Sequence, residues 1–317
     1  MKCLVLGGKG FIGSHLVDGL LKKGFDVRIF DRPHLESLEP EPRTEGVEYM
    51  EGDFTSVSDM GEALAGCDVC YHLVSTTIPK SSNADPAFDV ETNLTGTVRM
   101  LSLAVQTGIK KIIFISSGGT VYGIPQYLPL DEAHPTNPIC SYGITKLAIE
   151  KYLALYQRLH GMPYIVLRLS NPFGERQRTL ARQGAVAVFM GKILRGEPVE
   201  IWGDGSVVRD YVYIGDVVEA MILALEYGGA ERIFNIGSGT GMRLLDVLEA
   251  VEQVTSIAAE RVFKEARPFD VPSSVLAVER AGMELGWKPR TTFPEGLERM
   301  RNWLRMEKTA GDEGGCV

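Results

Sequence analysis

Residues 2–13 read Lys2-Cys3-Leu4-Val5-Leu6-Gly7-Gly8-Lys9-Gly10-Phe11-Ile12-Gly13, an apolar run that passes directly into a glycine-rich segment. The apolar run predicts a buried strand, and the spacing of Leu16 and Leu20 predicts a helix after the glycines. A second strand is predicted over residues 25–30, directly before Asp31. A strand, a glycine-rich turn, a helix, a strand and an acid, in this order, are typical of the start of a doubly wound, dinucleotide-binding sheet.

Glycine is needed in this turn for a physical reason. Gly7, Gly10 and Gly13 allow the backbone to bend and to approach a pyrophosphate, which binds at the N-terminus of the following helix. Asp31 can accept hydrogen bonds from the ribose of an adenosine. The segment therefore predicts a dinucleotide site at the start of the chain.

The rest of the first half continues the alternation of strands and helices. Strands are predicted over residues 47–50, 69–74, 111–116 and 164–169, and long helices over residues 85–107 and from Tyr142 to about His160. Because helices separate most of these strands, we predict an α/β fold: a doubly wound, Rossmann-like parallel sheet followed by a smaller mixed α/β substrate domain.

The predicted domains are residues 1–170, which bind the dinucleotide, and residues 171–307, which bind the substrate. The strand-like run 233–237 is a candidate to rejoin the first sheet. Residues 308–317 are polar and rich in glycine, and we expect them to be a disordered tail.

The composition excludes several classes of protein. The 317 residues are 44% hydrophobic and 23% charged, which is typical of a soluble globular protein, and the net charge of -8 argues against nucleic acid as a partner. Five scattered cysteines fit a reducing, cytoplasmic compartment, and the lone Cys67-x-x-Cys70 pair predicts no metal site. The chain enters a strand at once and has no apolar run near the ~20 residues of a membrane helix, so we expect neither a signal peptide nor membrane association.

A tyrosine and a lysine stand at the head of the second long helix, in Cys140-Ser141-Tyr142-Gly143-Ile144-Thr145-Lys146. Residues four apart share one helix face, so Tyr142 and Lys146 point the same way. A phenol has a reference pKa near ~10, and a fixed cation beside it favours the phenolate. The pair predicts a proton-transfer site, although the same spacing also occurs on ordinary surface helices.

Seven segments in order along the chain carry a resemblance to one family, and they cover residues 7–13, 116–123, 142 with 146, 168–172, 209–212, 235–237 and 267–270. Together they resemble the extended short-chain dehydrogenases/reductases. The resemblance is greatest to the nucleotide-sugar epimerase/dehydratase branch, which includes UDP-galactose 4-epimerases.

The resemblance implies a bound NAD. In the family, Asp31 binds the adenosine ribose and would repel the extra phosphate of NADP, although the neighbouring Arg32 leaves NADP open. Asp53 and Phe54 match adenine-contacting positions, and Lys146 matches the residue that holds the nicotinamide ribose. The positions assigned in this way to the cofactor are Gly7, Gly10, Phe11, Ile12, Gly13, Asp31, Asp53, Phe54, Leu73, Asn93, Tyr142 and Lys146.

By the same resemblance, Tyr142 is the base and acid at a sugar hydroxyl, and Lys146 lowers its pKa. One position departs from the family, because Gly118 stands where a serine or threonine usually bridges the substrate and the tyrosine. Side chains of extended backbone alternate between faces, so Thr120 can reach the side that Gly118 leaves empty. Gly119 and Thr120 also replace the Asp-Glu pair that 4,6-dehydratases carry at this point.

The second domain is expected to hold the nucleotide diphosphate of the substrate. Arg209 and Arg267 match a diphosphate clamp, in which guanidinium groups pair in bidentate fashion with phosphate; the alternative is surface ion pairing of little energetic value. Asn171 and Asp270 match phosphate- and nucleotide-contacting positions. Ser274 matches a position beside the sugar, where a tyrosine would exclude an N-acetyl group and a serine leaves room for it.

The resemblance implies a nucleotide-sugar 4-epimerase that acts on a UDP-hexose or UDP-N-acetylhexosamine by transient hydride transfer to NAD. The alternatives are a dehydratase or keto-sugar reductase on the same scaffold, and a non-catalytic dinucleotide-binding protein that lost its chemistry with the change at Gly118. A role in polysaccharide biosynthesis is expected by family analogy. The helices predicted over residues 85–107 and 142–160 match those through which the family dimerises, so we expect a homodimer.

Overall fold

The computed structural model describes residues 1–33, 46–180, 184–266 and 271–313. The strands are β1 (Lys2–Leu6), β2 (Asp26–Asp31), β3 (Val47–Glu51), β4 (Val69–His72), β5 (Lys111–Ser117), β6 (Tyr164–Leu169), β7 (Asn171–Phe173), β8 (Val199–Trp202), β9 (Val208–Tyr213), β10 (Ile233–Ile236), β11 (Gly241–Arg243), β12 (Arg261–Lys264) and β13 (Ser273–Ser274). The helices are α1 (Phe11–Lys22), α2 (Val57–Leu64), α3 (Pro79–Ala84), α4 (Pro86–Asp89), α5 (Gly96–Thr107), α6 (Ser141–His160), α7 (Ala185–Arg195), α8 (Ile214–Glu226), α9 (Leu244–Thr255), α10 (Glu279–Leu285) and α11 (Phe293–Glu313). None of the helices within these ranges is long and apolar enough to cross a membrane.

Seven strands form the central sheet in the order β10-β6-β5-β4-β1-β2-β3, and every pairing is parallel. β1, β4, β5 and β6 are nearly continuous runs of buried residues, which is what parallel strands covered on both faces require. The strand order reverses between β1 and β4, and ligands of such sheets bind at the crevice beyond this point. The predicted doubly wound sheet is confirmed.

The two faces of the sheet are covered by different helices. Cys3 and Val5 of β1 pack with α1 and α8 in one apolar cluster, while Leu4 and Leu6 pack with α2, α5 and α6 in a second cluster. This division follows from the alternation of side chains along a strand. α6, the helix that begins with Ser141 and Tyr142, is therefore buried against the face opposite α1.

A second, smaller sheet is built around β9. β11 pairs antiparallel with β9, whereas β7 and β13 pair parallel with it. β8 and β12 form a separate parallel pair. β10 (Ile233–Ile236) comes from this later part of the chain and pairs with β6 at the edge of the first sheet.

Two predicted element boundaries differ from the structure. The helix predicted over residues 85–107 is interrupted by a π-helical turn at Val90–Thr95 between α4 and α5. π-turns inside helices occur frequently at functional sites. At the other end of the chain, α11 continues to Glu313, past residue 308 where we expected the disordered tail to begin. Residues 308–313 contain no proline, the residue that most strongly interrupts a helix.

Candidate active site

A cradle of glycines lies between β1 and α1. Gly7 has a φ of +85°, in the left-handed region that favours glycine. Gly13 packs so closely on the turn that an added Cβ would lie 2.1 Å from the carbonyl oxygen of Gly7. Gly10, the N-cap of α1, makes no side-chain hydrogen bond, and the first turn contains no acidic residue. The first N–H groups of α1, at Phe11 and Ile12, are therefore available to an anion, and the cradle fits a pyrophosphate.

Asp31 is the last residue of β2 and lies beside this cradle. Its Oδ2 accepts a hydrogen bond from the backbone N–H of Lys9 at 3.1 Å, and its Oδ1 accepts one from the backbone N–H of Arg32 at 3.0 Å. Burial raises the pKa of the Asp31 carboxyl, and the two N–H groups act in the opposite direction. The contacts hold the carboxylate on the cradle, where an adenosine ribose would be bound.

The residues expected at the adenine take two different positions. Asp53 is exposed, and its Oδ1 accepts hydrogen bonds from the N–H and the hydroxyl of Thr55, both at 2.8 Å. Phe54 is buried in the apolar core, with its ring centroid 5.2 Å from that of His72. Leu73, by contrast, follows β4 and lies against the glycine cradle at the switch point.

Tyr142 and Lys146 lie together on α6. The buried Nζ of Lys146 donates a hydrogen bond to the carbonyl oxygen of Ile115 at 2.9 Å and lies 5.6 Å from the centroid of the Tyr142 ring. It also lies 4.7 Å from the ring centroid of Phe114. Because Ile115 and Phe114 belong to β5, these contacts fix the ammonium group against the central sheet.

The electrostatic setting of this pair differs from the expected one. Burial raises the pKa of Tyr142 to about 12, and the negative charge of Asp89 acts in the same direction. Burial lowers the pKa of Lys146 to about 8, while the charges of Asp89 and Glu150 oppose this change. The chain by itself therefore does not lower the pKa of Tyr142. It holds a phenol that is protonated at neutral pH beside an ammonium group whose pKa is close to neutrality.

The head of α6 is held by groups that the sequence analysis did not identify. Cys140, the N-cap residue, makes no side-chain cap. Instead, Oδ1 of Asn83 accepts a hydrogen bond from the backbone N–H of Ser141 at 2.9 Å, and Oγ of Ser82 accepts one from the N–H of Tyr142 at 3.0 Å. Because Ser82 and Asn83 belong to α3, a helix from another part of the chain caps the helix that carries Tyr142.

A stripe of buried polar side chains, Asp89, Asn93 and Thr97, also leads toward this site. Oδ1 of Asn93 accepts a hydrogen bond from the N–H of Thr76, and its Nδ2 donates one to Oδ1 of Asp89, both at 2.9 Å. Asn93, which was expected to line the cofactor, thus ties the segment after β4 to Asp89. Polar residues at a spacing of four share one helix face, and this pattern is the sequence signal that points to Asp89.

The turn after β5 contains the position that departs from the family. Residues 118–120 form a turn, with the N–H of Thr120 donating to the carbonyl oxygen of Ser117, so the expected extended backbone is wrong here. A Cβ on Gly118 would lie 2.6 Å from a methyl carbon of Leu276. Position 118 therefore faces packed apolar atoms, and a serine at this position would require the side chain of Leu276 to move.

Thr120 carries the hydroxyl that is available in this turn. Its Oγ1 is buried and has no hydrogen-bond partner within the described part of the chain. A Cβ on Gly143 would lie 2.8 Å from the carbonyl oxygen of Thr120, so the turn packs directly on the first turn of α6. Thr120 therefore lies next to the helix turn that carries Tyr142.

Three of the predicted substrate residues gather on the sheet around β9. Nδ2 of Asn171 donates a hydrogen bond to the carbonyl oxygen of Asp210 at 2.9 Å, and Nη1 of Arg209 donates one to that of Val271 at 2.8 Å. Ser274 is buried and pairs in register with Arg209 between β13 and β9. The carboxylate of Asp210 accepts hydrogen bonds from three backbone N–H groups and fixes the neighbouring loops.

Two other predicted substrate residues, Arg267 and Asp270, lie outside the described residues. The structure thus places Arg209 but not the second arginine of the expected clamp. Across residues 1–33, 46–180, 184–266 and 271–313, no group of three or more His, Cys, Asp and Glu side chains could hold a metal ion.

Comparison with known sequences gives full-length relatives. The model of the NAD dependent epimerase/dehydratase family matches residues 3–237. A UDP-glucose 4-epimerase of Mycolicibacterium smegmatis is 34% identical over 310 residues, which cover 96% of this chain and 99% of the relative. A dTDP-4-dehydro-6-deoxyglucose reductase of Escherichia coli is 32% identical over 313 residues, with 96% and 98% covered.

Solved structures of similar proteins superpose over almost the whole chain. The UDP-glucose 4-epimerase of Thermotoga maritima, solved with UDP-glucose, gives a TM-score of 0.92 at 37% identity and covers 97% of this chain and 100% of the neighbour. The UDP-glucose 4-epimerase of Thermus thermophilus, solved with NAD, gives 0.89 at 34% identity, with 100% of both chains covered. A UDP-N-acetylglucosamine 4-epimerase of Methanobrevibacter ruminantium, with UDP-N-acetylmuramic acid, gives 0.90 at 28% identity, with 96% and 98% covered.

Proposed function

Because the chain belongs to the NAD dependent epimerase/dehydratase family, we propose that it interconverts nucleotide sugars that differ in configuration at C4. It is a nucleotide-sugar 4-epimerase with NAD as its cofactor, and its substrate is a UDP-hexose or a UDP-N-acetylhexosamine. The observation that carries the mechanism is the contact of Thr120 with α6, which brings a buried hydroxyl without a hydrogen-bond partner beside the helix turn that holds Tyr142. On the same helix, Nζ of Lys146 lies 5.6 Å from the centroid of the Tyr142 ring.

NAD, when bound, supplies the acceptor and donor for the hydrogen of C4. The glycine cradle at residues 7–13 would hold its pyrophosphate and Asp31 its adenosine ribose, for the reasons given by their geometry. Lys146 would hold the nicotinamide ribose, since its ammonium group is fixed at the end of β5.

The side chains of the chain itself move the proton. Tyr142, as the phenolate, takes the proton of the C4 hydroxyl and returns it to the epimeric product, as general base and then general acid. The positive charges of Lys146 and of bound NAD would favour this phenolate over the phenol that the chain holds by itself. The hydroxyl of Thr120 hydrogen-bonds the same sugar oxygen in place of the side chain that Gly118 lacks. Arg209 binds the diphosphate at one end, so the sugar can turn in the site without leaving it.

The direct test is incubation of the purified protein with UDP-glucose, UDP-galactose and their N-acetylated counterparts, followed by NMR of the anomeric proton. The proposal requires that at least one gluco/galacto pair is converted to a mixture of both epimers. If none of the four compounds changes, while NAD and the nucleotide sugar bind, the chain is a binding protein and the proposed reaction is wrong.

A keto-sugar reductase is the second candidate, because a reductase relative matches this chain nearly as well as the epimerase relatives do. The two activities differ in their use of cofactor, since a reductase consumes NADH or NADPH and an epimerase shows no net consumption. A dehydratase is less well supported, because Gly119 and Thr120 stand where dehydratases carry an acid pair.

Thr120→Val is expected to lower kcat by about 10²-fold, because it removes one hydrogen bond to the reacting oxygen. The substitution keeps the shape of the side chain, so the temperature of unfolding should stay near that of the wild type. Thr120→Ser is the matched control and should retain most of the activity, since it keeps the hydroxyl. Equal losses in both variants would show that the methyl group, and not the hydroxyl, matters.

Ser274→Tyr is expected to lower kcat/KM for the N-acetylated substrate by at least about 10²-fold while sparing the plain hexose, because a rigid ring would occupy the acetamido space. Ser274 is buried, so the unfolding temperature must be measured in parallel. Ser274→Ala is the control and should accept both substrates. If the tyrosine variant loses both substrates equally, the proposed pocket is wrong.

We further propose that the chain is a cytoplasmic homodimer in polysaccharide biosynthesis, assembled through α5, α6 and the segment before α5. Large apolar side chains are exposed on this surface, namely Phe88, Val90, Ile144, Tyr152, Leu155 and Leu159. Leu101 of α5 is fully buried within the chain and belongs to its core. Sedimentation at micromolar concentration tests the assembly, and a species of monomer mass would contradict it.

A further inference from the structure

Asp89 is the last residue of α4 and is completely buried. Its Oδ1 accepts hydrogen bonds from the hydroxyl of Thr77 and from Nδ2 of Asn93. Its Oδ2 accepts hydrogen bonds from Oγ of Ser141 at 2.7 Å and from Oγ1 of Thr145 at 2.8 Å. The four donors come from three parts of the chain, and the carboxylate receives two hydrogen bonds on each oxygen.

Two of these donors flank the reacting pair on α6. Ser141 directly precedes Tyr142 in the sequence, and Thr145 directly precedes Lys146. Residues 141 and 145 share one helix face because they are four apart, and the face that carries 142 and 146 lies next to it. The carboxylate of Asp89 accepts hydrogen bonds from both Ser141 and Thr145, and it therefore fixes the rotation of α6 about its own axis. This rotation sets the direction in which the side chains of Tyr142 and Lys146 point.

The π-turn at Val90–Thr95 begins directly after Asp89. A π-turn inserts an extra residue into a helix and changes which side chains share a face. Asn93 lies within it and donates to Asp89 while its Oδ1 holds the N–H of Thr76. Asn93 thus joins the buried carboxylate of Asp89 to the segment that follows β4.

We propose that Asp89 is a positioning residue for the epimerisation: its carboxylate fixes the rotation of α6 and places a buried negative charge next to the helix turn that carries Tyr142 and Lys146. This role rests on the proposed function of Tyr142 and Lys146. The carboxylate does not touch the sugar in this account, and it acts through the helix and through its charge.

The charge has a definite sign of effect on both reacting groups. Asp89 raises the pKa of Tyr142 and opposes the lowering of the pKa of Lys146 by burial, because a negative charge makes loss of a proton harder. The other ionisable groups that face the pair are Cys140 at Tyr142, and Glu150 and the uncharged His72 at Lys146. Removal of the Asp89 charge alone must therefore move both pKa values downward.

The test compares Asp89→Asn with Thr145→Val in the full-length protein. Asp89→Asn removes the charge and keeps the shape, and we expect kcat to fall by roughly 10²-fold and the acidic limb of its pH profile to move to lower pH. Thr145→Val removes one of the hydrogen bonds between α6 and Asp89 and keeps the negative charge of Asp89. For this variant kcat should fall, while the acidic limb of the pH profile should not move to lower pH. In both variants KM should change much less than kcat.

Asp216→Asn is the matched control, because Asp216 is a second buried carboxylate, which accepts a hydrogen bond from the N–H of Thr291 at 3.0 Å away from the α6 contacts. It should lower the unfolding temperature and leave the pH profile unchanged.

The proposal is overturned if Asp89→Asn behaves in the same way, with a lower unfolding temperature but a wild-type kcat and pH profile. If Asp89→Asn does not fold, Thr145→Val decides, because a wild-type kcat in that variant removes the positioning role. If all epimerase activity is absent from the wild type, the proposed function fails first, and the affinity for NAD of these variants then shows only whether the site is assembled.

Discussion

Tyr142→Phe is expected to lower kcat by between about 10²-fold and 10⁴-fold, because the variant loses the only proton-transfer group that this account places at C4. The ring remains and the hydroxyl is removed, so the packing of α6 on β5 should be preserved. NAD should still bind, since the glycine cradle, Asp31 and Lys146 are unchanged. The measurements are kcat by a coupled epimerase assay, NAD affinity by calorimetry and the unfolding temperature.

Tyr156→Phe is the matched control, because Tyr156 lies on the same helix and its hydroxyl forms a hydrogen bond with that of Ser102 at 2.6 Å. It should lose some stability and keep a wild-type kcat. A Tyr142→Phe variant that retains more than a tenth of the activity would mean that another group moves the proton. Equal losses in both variants would point to general damage to α6.

Arg168→Met is expected to lower the free energy of unfolding by roughly 3–5 kcal/mol, because it leaves the buried charge of Glu150 without its cationic partner. The guanidinium and the carboxylate are each almost fully buried and meet in bidentate fashion, with N–O distances of 2.6 and 3.1 Å. Arg168 also donates to the hydroxyl of Tyr122 at 3.0 Å, so a second buried group loses a partner. Chemical denaturation of the two proteins gives the difference.

Two further variants test whether the large loss of stability comes from the burial of the ion pair rather than from ion pairing itself. Arg243→Met removes the partner of Asp246 in an exposed pair, and it should cost no more than about 1 kcal/mol. Replacing both buried partners, with Arg168→Met and Glu150→Leu together, should recover part of the loss, because no unpaired charge remains. A cost for Arg168→Met as small as that for Arg243→Met would show that water reaches this pair.

The sequence predicted the parts of the fold that depend on local pattern. The apolar run at β1, the glycines after it and Asp31 are contiguous, and their order alone identifies the start of the sheet. The strands of the central sheet were also predictable, because buried parallel strands are short apolar runs. α6 was predictable from its length and from the residues at its head.

The parts that the sequence did not predict depend on contacts between distant segments. Asp89 was overlooked because an aspartate in a helix is normally solvated, and only the fold brings Ser141 and Thr145 onto it. The close packing of Leu276 against Gly118 was not predictable for the same reason, because Leu276 comes from a distant part of the chain. Phe54 was assigned to the adenine by resemblance, and that role stays a prediction; the packing of its ring in the core beside His72 is the part that only the fold shows.

The pKa values of Tyr142 and Lys146 were also not predictable from the sequence. The spacing of Tyr142 and Lys146 suggested a lowered phenol pKa, but spacing says nothing of burial. In the folded chain burial is the largest influence on both groups, and it raises the pKa of Tyr142 to about 12 and lowers that of Lys146 to about 8. The chain by itself thus holds a protonated phenol, and a further positive charge at the site would be needed to favour the phenolate that acts as the base.

The central claim, reversible oxidation at C4 of a nucleotide sugar, is tested most directly by running the reaction in D₂O and examining the ring protons by NMR. The account predicts that UDP-glucose or its N-acetylated counterpart becomes a mixture of both C4 epimers with no deuterium at any ring carbon, because the hydrogen leaves C4 and returns to it without exchange. It also predicts that this conversion disappears in the Tyr142→Phe variant. Deuterium in the ring, or a product of one configuration formed with net consumption of reduced cofactor, would contradict it.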